Sequence, residues 1–231
     1  MTLDATSPRC FLRLGLGEIP RVKRLLIFFV LAAVSQANAS IVQPLDPAVD
    51  GLHSNLGASQ EVADDFFLSG LTTLGTLGWY GRYDDATAPP NPTDFLIRIF
   101  SDSGGAPDPL GPFFSLATSA TPVSTGMTTL DSLPWYFYSV DLGSPILGAG
   151  RYWLSIAEND ASTPTGGTRD WRWGESNTFG ERAVIVGNAS VFAPEKGLDL
   201  AFSVQTVPEP STWLLLGTGL VLAAFRRRRR A

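Results

Sequence analysis

Apolar residues recur at every second position in several short runs along the body of this chain, and no stretch sustains the 3.6-residue period of an amphipathic helix. A period of two is the repeat of a strand with one face buried and the other in water. Leu198, Leu200, Phe202 and Val204 make the clearest such run, with Asp199, Ser203 and Gln205 on the opposite face. Asp94 to Phe100 is another, with Phe95, Ile97 and Ile99 on one side, ending at the turn chemistry of Ser101 to Asp108. The pattern confines the body to an all-β fold.

Further strands are expected over Val62–Leu68, Leu71–Tyr83, Phe113–Leu116, the Thr-rich segment to Thr129, and Trp135–Leu142. Arg151–Ala157, Asp170–Gly174 and Arg182–Val186 complete the set. In Trp135–Leu142, Tyr136, Tyr138, Val140 and Leu142 oppose Trp135, Phe137 and Asp141. Roughly eight to ten short strands between Gly- and Pro-rich turns predict a single β-sandwich, jelly-roll-like, over residues 40–206. The segment Val62-Ala63-Asp64-Asp65-Phe66, with Gly78-Trp79-Tyr80-Gly81 and Ile97-Arg98-Ile99-Phe100-Ser101-Asp102, resembles uncharacterised β-sandwich domains of other bacterial surface proteins. That likeness implies no activity.

Residues 40–207 hold seven Lys+Arg against 19 Asp+Glu, a net charge of −12. Such a surface repels nucleic acid and anionic lipid. The one cysteine, Cys10, lies outside this body, so the domain is held by its core and not by disulfides. About 168 residues suffice to build one.

The usual catalytic groups are scarce. His53 is the only histidine, and no Gly-x-Ser-x-Gly elbow accompanies it. It is expected to be an exposed surface residue, and a zinc site of the usual His/Cys type is excluded. The body is therefore expected to have no catalytic site. The alternative is a secreted carbohydrate-active hydrolase in which Glu158 and Glu175 flank a glycosidic bond. No cofactor is expected, apart from a calcium ion in acidic loops, with Asp84-Asp85, Asp64-Asp65 and the Asp102-to-Asp108 loop as candidate ligands. Trp171 and Trp173 share a strand face opposite Arg172. Turned outward they would stack sugar rings; turned inward they are ordinary core, the favoured reading in a body with five tryptophans.

Two apolar segments flank the body. Arg21, Lys23 and Arg24 precede Leu25–Val34, and Ala37-Asn38-Ala39 follows, a secretory signal with cleavage after Ala39 and Ser40 as mature N-terminus. The Sec translocon and signal peptidase are the partners this implies. Residues 1–20 are mixed in character, and a signal of ordinary proportions would begin near Val22, so the start of translation is expected downstream of Met1.

At the other end stand Val207-Pro208-Glu209-Pro210-Ser211-Thr212 and then Trp213-Leu214-Leu215-Leu216-Gly217-Thr218-Gly219-Leu220-Val221-Leu222-Ala223-Ala224-Phe225. Arg226, Arg227, Arg228, Arg229 and Arg230 follow. Positive charge after an apolar run holds the arginines on the cytoplasmic side of a membrane. Thirteen helical residues reach about 20 Å, short of the roughly 30 Å hydrocarbon core. Snorkelling arginines and an interfacial Trp213 shorten that deficit. The span suits a temporary anchor.

The ordered set of Pro-Glu-Pro, apolar helix and arginine block closely resembles the PEP-CTERM sorting signal of bacterial surface proteins. The resemblance covers residues 207–231 and implies a Gram-negative envelope, usually in organisms that make exopolysaccharide. It also implies recognition by exosortase, a membrane-embedded peptidase that removes the tail near the Pro-Glu-Pro. The precursor would be anchored in the inner membrane, and the product would reach the cell surface or extracellular matrix.

Overall fold

A computed structural model describes residues 40–57, 59–85, 88–159, 170–186 and 191–207. The signal cleavage residues Ala37 and Ala39, Pro208 to Pro210, the apolar run Trp213–Phe225 and Arg226–Arg230 lie outside them. The described residues form strands and no helix, in two antiparallel sheets.

The eight-stranded sheet contains β1 (Ser40–Gln43), β2 (Leu52–His53), β4 (Thr72–Tyr83), β7 (Val123–Thr128), β8 (Pro134–Asp141), β9 (Ile146–Leu147), β11 (Trp171–Trp173) and β14 (Phe202–Val207). Its main path runs β1-β14-β4-β11-β2, with β8 and β9 also paired to β4. The six-stranded sheet runs β13 (Ala193–Leu200), β12 (Glu175–Val186), β3 (Gln60–Leu68), β10 (Gly150–Glu158), β5 (Thr93–Ser101), β6 (Phe114–Ala120).

The alternation explains how the sheets stack. Phe95, Ile97 and Ile99 of β5 and Leu154 and Ile156 of β10 meet Leu77 and Trp79 of β4, Tyr138 of β8 and Phe202 of β14 in one core. Aromatic edges join the layers. Phe95 packs edge-on to Trp79 (5.0 Å between centroids), Tyr138 (5.0 Å) and Trp171 (5.2 Å), geometry that aligns ring edges with ring faces. Within the eight-stranded sheet the backbone at Gly81 lies so near its neighbour that an added Cβ would stand 2.4 Å from the Trp171 ring. Only a residue without a side chain fits there.

The run Leu198–Val204 departs from its single-strand expectation. It is the end of β13 and the start of β14, strands of different sheets, with the crossing at Ala201. The period of two persists because both strands face the same interior. Asp199, expected in solvent, is buried against the bare backbone of Gly180. Trp135 also differs from a simple outward residue. It stands on the outer face of the eight-stranded sheet yet is fully buried, with its indole N–H donating to the Pro47 carbonyl (3.4 Å).

Candidate functional site

Trp171 and Trp173 point into the core and have no exposed surface. Trp173 donates its indole N–H to the Ala201 carbonyl (3.0 Å). They form part of the inter-sheet packing, so the outward, sugar-stacking arrangement is not the one the chain adopts. The polar interest of β11 lies on its other face.

There the register sets residues in rows. Strand β11 lies between β2 and β4, with Arg172 opposite His53 on one side and opposite Arg82 on the other. Cross-strand partners share a face, so His53, Arg172 and Arg82 stand side by side. Two residues further along the same face come Asp84 after Arg82 and Asp170 before Arg172. The backbone N–H of Asp84 donates to the Asp170 carbonyl (3.2 Å), which continues the pairing to these acids. The mirrored tripeptides Arg82-Tyr83-Asp84 and Asp170-Trp171-Arg172 encode this arrangement once they pair antiparallel.

Two arginines directly opposed would repel. Asp84 resolves the conflict, because its Oδ1 accepts from Arg82 Nη1 (3.2 Å) and from Arg172 Nε, while Oδ2 accepts from Arg172 Nη2 (3.3 Å). Arg82 is almost wholly buried and also donates to the Asp50 carboxylate (3.1 Å) and carbonyl (3.1 Å). Arg172 Nη1 donates to the Gly51 carbonyl (3.1 Å). Gly51 takes a positive φ of 78°, and a Cβ there would lie 2.5 Å from the Trp173 carbonyl oxygen. A glycine is required to lead the chain into β2 and deliver His53.

His53, expected to be exposed, is half-buried. Its Nε2 stands 3.6 Å from Asp84 Oδ2 and its Nδ1 4.0 Å from Asp170 Oδ2, both beyond hydrogen-bond length. The Nδ1 atom is shielded from solvent and has no hydrogen-bond partner among the described residues. Burial, followed by the charge of Arg172, holds the imidazole pKa below its usual 6.5. His53, Asp84 and Asp170 each present a ligand atom, all within 4.8 Å of one another.

The other acids are engaged in the framework. Glu158 is buried and accepts from the Tyr83 hydroxyl and from Asn55 Nδ2 (2.7 Å); burial, then the Glu158 charge, drives the Tyr83 pKa far up. Glu175 accepts from Arg182 Nη1 (2.7 Å) and the Gly51 N–H (3.2 Å). Asp102 accepts from the Trp153 indole (2.9 Å), and Asp108 from the Leu110 N–H (3.0 Å). Asp65 pairs with Arg151 (3.0 Å). Asp64 is buried, accepts from the Leu200 N–H (2.6 Å), and has its pKa pushed well up by burial. Of the acids named as calcium ligands, Asp84 alone joins the histidine cluster; Asp85 follows it at the end of β4.

Comparison with known proteins speaks to the C-terminus. No curated protein matches the chain. Among solved structures, the cysteine protease and lectin-like domains of Cwp84, a surface layer associated protein of Clostridium difficile, match at 12% identity with a TM-score of 0.42. That match covers 64% of this chain, which spans only 32% of the other. Residues 206–230 match the family model of the PEP-CTERM protein-sorting motif. The chain thus carries, C-terminal to an all-β body, the PEP-CTERM sorting motif of exported surface proteins, which implies processing by exosortase.

Proposed function

We propose that the protein is exported through the Sec translocon, trimmed by signal peptidase after Ala39 and held in the inner membrane by Trp213–Phe225. Exosortase then frees it near Pro208–Pro210. The delivered β-sandwich is a non-enzymatic binding or structural module of an extracellular matrix built around exopolysaccharide.

One observation carries this reading. The matched motif opens at residue 206, inside β14, whose last residue Val207 still pairs with Thr73 of β4. At the other end β1 begins at Ser40, which pairs with Gln205. Cutting after Ala39 and within Pro208–Pro210 would therefore leave every strand of the described residues whole, with the new termini on neighbouring strands. Support for a non-enzymatic role comes from Glu158 and Glu175, whose oxygens accept hydrogen bonds from separate sets of framework donors.

The test is replacement of Pro208, Glu209 and Pro210 by alanines in the native host. Uncleaved precursor should accumulate in the inner membrane, and normal processing of the variant would refute the sorting role. The released protein should bind exopolysaccharide without liberating sugars. Sugar release abolished by Glu158→Gln or Glu175→Gln would establish a hydrolase instead.

A further inference from the structure

We infer that His53, Asp84 and Asp170 form a coordination site for a divalent first-row transition ion, with zinc as the representative probe. The spacing is the first argument. Donor atoms about 2.0–2.2 Å from a tetrahedral zinc lie roughly 3.4 Å from one another. Nε2 of His53 and Oδ2 of Asp84, 3.6 Å apart, are too far for a hydrogen bond and near that separation. Asp170 Oδ2 lies 4.0 Å from the other ring nitrogen, and since the three residues' ligand atoms fall within 4.8 Å of one another, a turn of the Asp170 side chain toward Nε2 completes a three-ligand face, with water in the remaining position.

A second argument is how the ligands are held. Asp84 Oδ1 takes a hydrogen bond from each arginine and Oδ2 a longer one from Arg172 Nη2 (3.3 Å), which fixes the carboxylate plane with Oδ2 3.6 Å from the imidazole. Anchoring of a ligating carboxylate by its other oxygen is what an outer shell supplies at metal sites.

Charge and donor chemistry choose the ion. Asp50, Asp84 and Asp170 against Arg82 and Arg172 leave one net negative charge around a neutral imidazole. A cation is therefore favoured. One nitrogen and two carboxylates suit zinc, manganese or cobalt, whereas calcium takes six to eight oxygens.

The chain's single histidine makes the test direct. Full-length protein purified in detergent without a histidine tag should show one set of imidazole proton resonances. Zinc added at neutral pH should shift these at one equivalent and abolish their pH titration, and equal calcium should leave them unmoved. Calorimetry should give one site, weakened at least about tenfold by His53→Gln and by Asp170→Asn. Asp170→Asn alters a half-buried residue outside the named strands, so it tests the site even if replacing His53 disturbs β2. Ring resonances unmoved by saturating zinc, or zinc affinity unchanged in Asp170→Asn, would overturn the assignment.

Discussion

Strands β4 and β11 present two regions back to back, and the contrast between them separates framework from function. On the inner face, Trp79 and Trp171 are fully buried, rings meet edge to face, and Gly81 gives way to an indole. On the outer face, His53 stands short of contact with two carboxylates, at 3.6 and 4.0 Å. Interior packing leaves no ion-sized gap because voids forfeit dispersion contacts. A polar gap on a partly solvated face carries no such penalty. The buried acids of the six-stranded sheet sharpen the point. Glu61 accepts from the Ser155 hydroxyl and pairs with Arg98, and Asp64 accepts backbone N–H groups at both oxygens. They are saturated, and they hold the fold.

The difference can be broken from either side. Trp171→Ala should have the largest effect, a loss of about 3–5 kcal/mol in urea unfolding, because the cavity lies at the centre of the aromatic cluster. A loss below about 1 kcal/mol would mean that the indole is not core. Arg98→Ala leaves the buried Glu61 carboxylate without its charge partner and should lower stability by about 3 kcal/mol. Gly81→Ala forces a methyl against Trp171 and should cost about 1–3 kcal/mol; a neutral result would show that β4 and β11 separate easily.

Acid titration probes the saturated carboxyls. Burial holds Asp64 protonated above its unfolded value of 3.8, so the folded chain binds more protons than the unfolded one between those two values. Its stabilising contribution is whole below about pH 4 and is lost as pH rises through the folded value. In Asp64→Asn that part of the pH slope should vanish from the unfolding midpoints. An unchanged slope would show that Asp64 ionises normally. Smallest of all, Asp170→Asn should alter metal-free stability by less than about 0.5 kcal/mol, as befits a partly exposed acid outside the framework. A larger loss would place Asp170 among the structural acids.

Much of the framework was legible in the chain. The strand segments from Val62 to Ala157 were found to within a few residues, because apolar alternation is local and each strand displays it alone. The short β1, β2 and β9 were not, since two to four residues carry no periodicity. Arg182–Val186 was expected as a brief strand, and β12 in fact starts at Glu175. Its earlier part is irregular, with a register shift between Glu175 and Phe179 against β13. For the candidate site, acidity alone marks Asp84 in the sequence, whereas nothing near His53 along the chain links it to either acid.

By itself the sequence determined the all-β class, the alternation that seals one core, and the PEP-CTERM tail, because each is written in residues close together along the chain. Only the tertiary structure decided that Leu198–Val204 serves two sheets and that Trp171 and Trp173 turn inward. It alone placed His53 beside Asp84 and Asp170. Those outcomes depend on register between distant strands, 119 residues apart in the pairing of His53 with Arg172. A shift of one residue there would reverse every face.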